Sequence, residues 1–167
     1  MVRNIHTRDL CSSLLEVGQL IDGLASEQDR LWPHESWPAM HFDRPLSVGA
    51  VGGHGPLRYT VESYKPGTSI CFRFTAPDGF EGTHGFDVSE VRPGLVRLQH
   101  TLCMRLKRGA CISWPFIYRW LHDALIEDAL DRAEAAVTSS SVHRHSWSLW
   151  VRLLRRLARA KGGRTVA

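Results

Sequence analysis

The stretch from Leu57 to Leu106 constrains this chain most, because it alternates apolar and polar residues and places a turn signal at every break. Leu57 to Tyr64 ends at Lys65-Pro66-Gly67. Ile70, Phe72 and Phe74 alternate with Cys71, Arg73 and Thr75 before Ala76-Pro77-Asp78-Gly79. Phe80, Gly82, His84, Phe86 and Val88 share one parity. Arg92-Pro93-Gly94 then leads into Val96, Leu98, His100, Leu102, Met104 and Leu106. Successive hairpins of this kind build an antiparallel sheet with one apolar face. That face needs a cover. After Gly109 the period becomes helical, and Trp114-Pro115 opens a long helix to about Val137 that supplies it.

Upstream, Arg3 to Leu10 reads as a strand. Ser12 or Ser13 caps a helix, with Glu16 placed for a capping box, and its periodicity runs to about Ala25. Residues 26–45 contain Trp32-Pro33, Trp37-Pro38 and Pro45, which disfavour a long helix and predict a short-helix lid or wall folded over the body. Leu46 to Val51 is strand-like, and Gly52-Gly53-His54-Gly55-Pro56 reads as a turn. Ser139-Ser140-Ser141 breaks the long helix. A last helix covers about Ser146 to Ala160, ended by Gly162-Gly163. The expectation is an α+β ligand-binding domain over residues 1–141 and a basic amphipathic helix and tail over 142–167.

Taken with this order of elements, Tyr59-Thr60-Val61-Glu62-Ser63-Tyr64-Lys65-Pro66-Gly67, Phe72-Arg73-Phe74 and Trp114-Pro115 resemble the helix-grip fold of the SRPBCC superfamily. That superfamily includes START lipid-transfer domains, polyketide cyclases and birch-pollen-allergen-like proteins. The resemblance covers about residues 1–138. Gly52-Gly53-His54-Gly55-Pro56 and Leu121-His122-Asp123-Ala124-Leu125-Ile126-Glu127-Asp128 are similar to a bacterial branch of unassigned function. The resemblance implies a curved antiparallel sheet wrapped around a long C-terminal helix, with a pocket between them, but no particular reaction. Two functions are open, beside a third reading as a structural partner module with a filled core and no ligand. One is binding or carrying an apolar or amphipathic molecule such as a lipid, a fatty acid or an aromatic metabolite. The alternative is an enzyme like the polyketide aromatase/cyclases, a cyclase/dehydratase-type lyase in which His84, His100 or Asp128 moves protons.

His84 and His100 take inward parity on consecutive strands. They read either as a polar anchor or acid/base pair in an apolar pocket, or as hydrogen-bonded core histidines. No third ligand stands at metal spacing, so neither a metal nor another cofactor is expected. Asp128 falls among Ile117, Leu121, Ala124 and Leu125 on the long helix, one turn before Arg132. It reads either as an i,i+4 ion pair or as a group that holds a ligand hydroxyl. Phe72, Phe74, Phe86, Leu98, Leu102 and the helix residues Ile117 and Leu121 are the expected pocket walls. Trp32, Trp37, Phe80 and Trp114 are the expected entrance. Arg58, Glu62 and Tyr64 share a parity opposite Leu57, Tyr59 and Val61. If the polar side faces inward, Arg58 holds an acidic group and Tyr64 donates a hydrogen bond. His54 is expected in an exposed loop.

The net charge of +4 hides an asymmetry. Residues 142–167 carry Arg144, Arg152, Arg155, Arg156, Arg159, Lys161 and Arg164 with no acid, while the remaining 141 residues hold 14 basic and 17 acidic side chains. The body therefore gives no support to nucleic-acid binding. In the last helix Trp147, Trp150, Val151, Leu154, Leu157 and Ala158 oppose Arg152, Arg155, Arg156 and Arg159. That pattern fits a peripheral helix on an anionic membrane, and equally a helix docked on this domain or on a second subunit. The four cysteines form no C-x-x-C pair and read as reduced, mostly buried thiols. No stretch approaches the roughly 18 apolar residues of a span, and the N-terminus lacks the apolar core of a signal peptide. The expected location is cytoplasmic.

Overall fold

The structure is a computed structural model that describes residues 1–138 and 145–162. Seven strands form one antiparallel sheet: β1 (Val2–Leu10), β2 (His41–Phe42), β3 (Val51–His54), β4 (Leu57–Lys65), β5 (Ser69–Ala76), β6 (Phe80–Arg92) and β7 (Leu95–Leu106). Their order is β1-β7-β6-β5-β4-β3-β2. Register shifts within β4–β5 and β6–β7 mark bulges, which bend strands. The predicted parity holds through the hairpins. Ile70, Phe72, Phe86, Leu98 and Leu102 are buried on one face. Cys71 and Cys103 take the opposite parity and are half-exposed, and Cys11 and Cys111 are exposed. The thiols are free but not mostly buried, which corrects that expectation.

Helix α1 (Leu14–Asp22) starts at a complete capping box: the Glu16 N–H donates to the Ser13 hydroxyl, and the Ser13 N–H donates to the Glu16 carboxylate. It stops before the expected Ala25 because Gly23 caps it and Ala25 itself turns left-handed at φ 61°. A Cβ at Gly18 would lie 2.3 Å from the Gly67 carbonyl oxygen, so the absence of a side chain lets α1 lie directly on the β4–β5 turn.

Residues 26–40 do fold over the body, but as a wall of turns and not as a short helix. The Asp29 carboxylate organises it by accepting from the backbone N–H groups of Ala25, Leu31 and Trp32. Leu31, Trp32, Trp37 and Met40 are buried beneath it. The predicted strand from Leu46 begins only at Val51, and Gly52-Gly53-His54 is extended strand where a turn was predicted. A Cβ on Gly52 would sit 2.2 Å from the His41 carbonyl oxygen, and one on Gly53 would sit 2.0 Å from that of Leu57. These glycines permit close strand approach, and Gly55-Pro56 alone makes the turn.

The long helix is composite. Helix α2 (Ala110–Ser113), a π-helical turn at Trp114–Tyr118 and α3 (Arg119–Val137) run on through residues of helical φ and ψ. A π turn inserts an extra residue and rotates the helix on its N-terminal side by about 100° relative to the helix on its C-terminal side. Ile117 is therefore exposed, while Ala124, Leu125, Ile126, Ala129, Leu130 and Ala133 pack inward. Helix α4 (Leu149–Gly162) rests on α3 and buries Val151 and Leu154. The Ser139–Ser141 break, the boundary at residue 141, Gly163 and the side chains of Arg144, Arg159, Lys161 and Arg164 lie outside the described residues.

Candidate functional site

β1 is the edge strand, and its inward side is polar. Asn4, His6 and Arg8, spaced two apart, meet acids at helical spacing on α3. Asn4 Nδ2 donates to Asp123 (2.9 Å). His6 Nδ1 contacts Glu127 (2.6 Å), and Arg8 donates to Asp131 (2.9 Å) and Glu134 (2.5 Å). His6 Nε2 and His122 Nδ1 each lie 3.3 Å from Asp123 Oδ1. Burial opposes charge on His6, but its hydrogen bonds to Asp123 and Glu127 outweigh this and raise its pKa. Hydrogen bonds from His122, His6 and Asn4 hold the Asp123 carboxyl far below the usual range, against its own burial. Donor atoms of His6, His122 and Asp123 all lie within 4.8 Å of one another, so this trio could hold a metal ion. In the structure Asp123 Oδ1 is shared by His6 Nε2 and His122 Nδ1.

From His6 a line of rings crosses the interior. His6 faces His100 across the β1–β7 register. Ring centroids lie 5.8 Å apart for His6–His122, 5.1 Å for His122–His100 and 5.6 Å for His100–His84. The line continues to Tyr59 at 4.9 Å, His54 at 6.0 Å and Trp32 at 4.7 Å. Phe72, Phe74 and Phe86 pack against the two central imidazoles. These rings lie between sheet and helix, where the pocket is expected.

His84 and His100 are 7% and 1% exposed, and His100 Nε2 lies 3.4 Å from His84 Nδ1. Burial drives both well below the ordinary histidine pKa, so both are neutral at pH 7. One shared proton fits between them. The outer nitrogens, His84 Nε2 and His100 Nδ1, have no hydrogen-bond partner among the described residues, and neither do His122 Nε2 or the Tyr59 hydroxyl. Four buried polar atoms without partners are costly, at about 1–3 kcal/mol each.

At the β2–β4 end a recess of about 490 Å³ opens, lined by Ala39, His41, Val51, Gly52, Gly53, His54, Gly55 and Arg58. The Arg58 guanidinium donates to the carbonyls of Gly55 and Leu57 and borders this recess from the outer side of β4. His54 is its inner wall and touches Trp32 and Tyr59. Burial, with repulsion from His122 and Arg58, brings the His54 pKa down to about 3. His54 is thus a strand residue beside the interior and not an exposed-loop residue.

The structure divides the predicted site residues into groups. Phe72, Phe74, Phe80, His84, Phe86, Leu98, His100, Leu102 and Trp114 form the buried body, with Leu121 partly buried against it. Tyr64 is elsewhere: its hydroxyl donates to Asp22 (2.8 Å). Asp128 forms no pair with Arg132, which instead reaches Glu35 and the Asp29 carbonyl. One oxygen of Asp128 accepts from the indole N–H groups of both Trp37 (2.7 Å) and Trp147 (2.8 Å). It joins the wall to the segment before α4. Arg155, predicted on the solvent face, is buried between these indoles at 4.1 and 3.8 Å and donates to the Ser36 carbonyl.

No family model and no curated protein matches the sequence. Solved structures do match. The chain superimposes on a protein from Thermobifida fusca with TM-score 0.66 at 14% identity, covering 87% of this chain and 100% of that one. CalU16 from Micromonospora echinospora gives TM-score 0.59 at 10% identity over 99% of this chain and 89% of the other. EF2215 from Enterococcus faecalis, a conserved protein of unknown function, gives 0.58 at 12% identity over 96% and 84%. At these identities the likeness is one of fold. The fold is a helix grip. Its sheet holds the long helix across the inner face, and in this chain the line of rings occupies that grip.

His6, Asp123, His122 and Tyr59 were missed in the sequence. Tyr59 lay on the face opposite Arg58, whose orientation was left open. The signal for β1 was present: Asn4, His6 and Arg8 at period two match Asp123, Glu127, Asp131 and Glu134 on one helix face.

Proposed function

We propose that this chain binds a small amphipathic molecule at the recess beside β2–β4, in keeping with an SRPBCC-like ligand-binding protein. One observation carries the reading: a recess with Arg58 and His41 at its rim and His54 at its back adjoins the buried Tyr59–His84–His100 cluster, whose Tyr59 hydroxyl and outer imidazole nitrogens lack partners among the described residues. The recess volume lies within the roughly 300–1,000 Å³ typical of ligand sites. Arg58 and His41 suit an acidic head group. The His54 ring, with Ala39 and Val51, suits an apolar or aromatic body. Lipid, fatty acid and aromatic acid all have this chemistry.

The first test is mass spectrometry of the protein from its own cell extract, native against denaturing, for a released mass. Anilinonaphthalene sulfonate, an anionic aromatic probe, supplies the second. It is expected to bind saturably and to lose about tenfold in affinity on Arg58→Gln, the loss of one charge-assisted contact. Unchanged affinity in that variant overturns the assignment of the recess. The His84–His100 contact also favours acid/base catalysis of the aromatase/cyclase kind, since neutral imidazoles both donate and accept protons. That reading requires a turnover whose pH–rate profile moves on His100→Ala. Loss of ligand retention alone favours binding.

A further inference from the structure

Helix α4 has two apolar sides. Val151 and Leu154 face the domain, and Leu149, Leu153 and Leu157, four residues apart, face solvent at 82%, 43% and 54% exposure. Trp150 stands beside them at 42% and donates its indole N–H to the Phe116 carbonyl (3.0 Å). That bond joins the outer side of α4 to a second stripe on the long helix. There Ile112, Phe116 and Trp120, again four apart, are 69%, 63% and 45% exposed. Two outward apolar stripes thus meet along the Trp150–Phe116 contact. A monomer seldom leaves so much contiguous apolar surface uncovered without a use for it.

The charges on the α4 part of this face are of one sign. Arg152 and Arg156 are exposed beside the leucine stripe, and no carboxylate among the described residues lies within 4 Å of either. Residues 142–167 hold seven bases and no acid, whereas just before and along the long helix Lys107, Arg108 and Arg119 are paired with Glu81, Asp78 and Asp123. A second copy packed α4 against α4 would bring Arg152 and Arg156 against their own counterparts without a carboxylate on either helix to answer them. A nucleic acid would answer the charges but leave Leu149, Leu153 and Leu157 in water. An anionic bilayer meets both demands: lipid phosphates take the guanidinium groups, and the boundary of the acyl chains takes Leu, Phe and the indole rings.

We propose that the face built from α4 and the outer side of the Ile112–Trp120 segment docks the protein on an anionic lipid surface. α4 stays seated on the domain through Val151, Leu154 and Arg155 while its opposite side enters the interface. The inference does not depend on what the recess binds.

The test is cosedimentation of the full chain with vesicles of phosphatidylcholine alone and of equal parts phosphatidylcholine and phosphatidylglycerol. Binding to the mixed vesicles, weakening with added salt and accompanied by a blue shift of tryptophan emission, is expected. Arg152→Gln with Arg156→Gln, and separately Phe116→Ser with Leu153→Ser, are each expected to lower partitioning at least about tenfold. All four side chains are exposed, and circular dichroism checks that the fold persists. Equal binding to neutral vesicles, no binding to either, or binding unmoved by both variants overturns the proposal. So does a dimer in light scattering that either variant abolishes, which assigns the face to self-association. Should a variant unfold, the salt dependence and lipid preference of the unmodified chain decide alone.

Discussion

His84 and His100 give the molecule a pH response of definite sign. Their pKa values in the folded chain lie below the ordinary 6.5, so the unfolded chain takes up protons that the folded one refuses. Their contribution to stability is complete above 6.5 and is lost as pH falls below it, at up to about 1.4 kcal/mol per pH unit for each histidine. His6 runs the other way. Its raised pKa makes its contribution complete below 6.5 and lost as pH rises through the folded value. Urea unfolding across the acid range is expected to show a slope that falls by about one proton in His100→Phe, which keeps a ring in the same place. An identical slope in the variant would mean that His100 is charged in the folded chain. The two central histidines were legible because strand parity is strict. His54 was not, since its glycines read as a turn until the approach of His41 and Leu57 showed why they are small. Asp128 was found as a buried acid but given the wrong partner, because Trp37 lies 91 residues away and no local rule connects them.

Among the elements, β1 is attached differently from the others. Its Ile5 faces solvent, and its inward side is held to α3 by charged groups where β5 to β7 use apolar packing. Arg8→Met keeps much of the stem and removes the guanidinium from Asp131, which is 7% exposed, and from Glu127 and Glu134. Three acids are then left facing one another. A loss of roughly 2–4 kcal/mol in urea unfolding is expected, below the full cost of a buried pair because Arg8 is partly exposed. A loss under about 0.5 kcal/mol would mark the ladder as surface decoration. The hairpin sheet was legible in the sequence because each turn carried its own signal. The start of the long helix was not, because the π turn at Trp114–Tyr118 leaves no mark in composition: Ile117 is exposed, while Ala124 and Leu125 of the same expected face are buried. The docking of α4 was legible as an option. Its rotation was not, because Arg155 is buried by two indoles that the helical pattern alone cannot supply.

At the scale of the whole molecule, the wall over residues 26–40 and the C-terminal helix meet on one carboxylate. Asp128→Ala leaves the Trp37 and Trp147 indole N–H groups without their acceptor, and a loss of about 2–4 kcal/mol is expected from two charge-assisted bonds. Hydrogen exchange is expected to quicken in both segments together, around Trp37 and along α4. Quickening in only one would show that the two are held independently. The wall also reaches the recess, since Pro38 lies 3.5 Å from where a Cβ on Gly55 would stand. Asp128 and Arg155 together therefore fasten distant stretches of chain to one another. The expected consequence is that strain on α4 reaches the rim beside His54 by way of the wall, as a pull on one end of a hinged gate moves its far post.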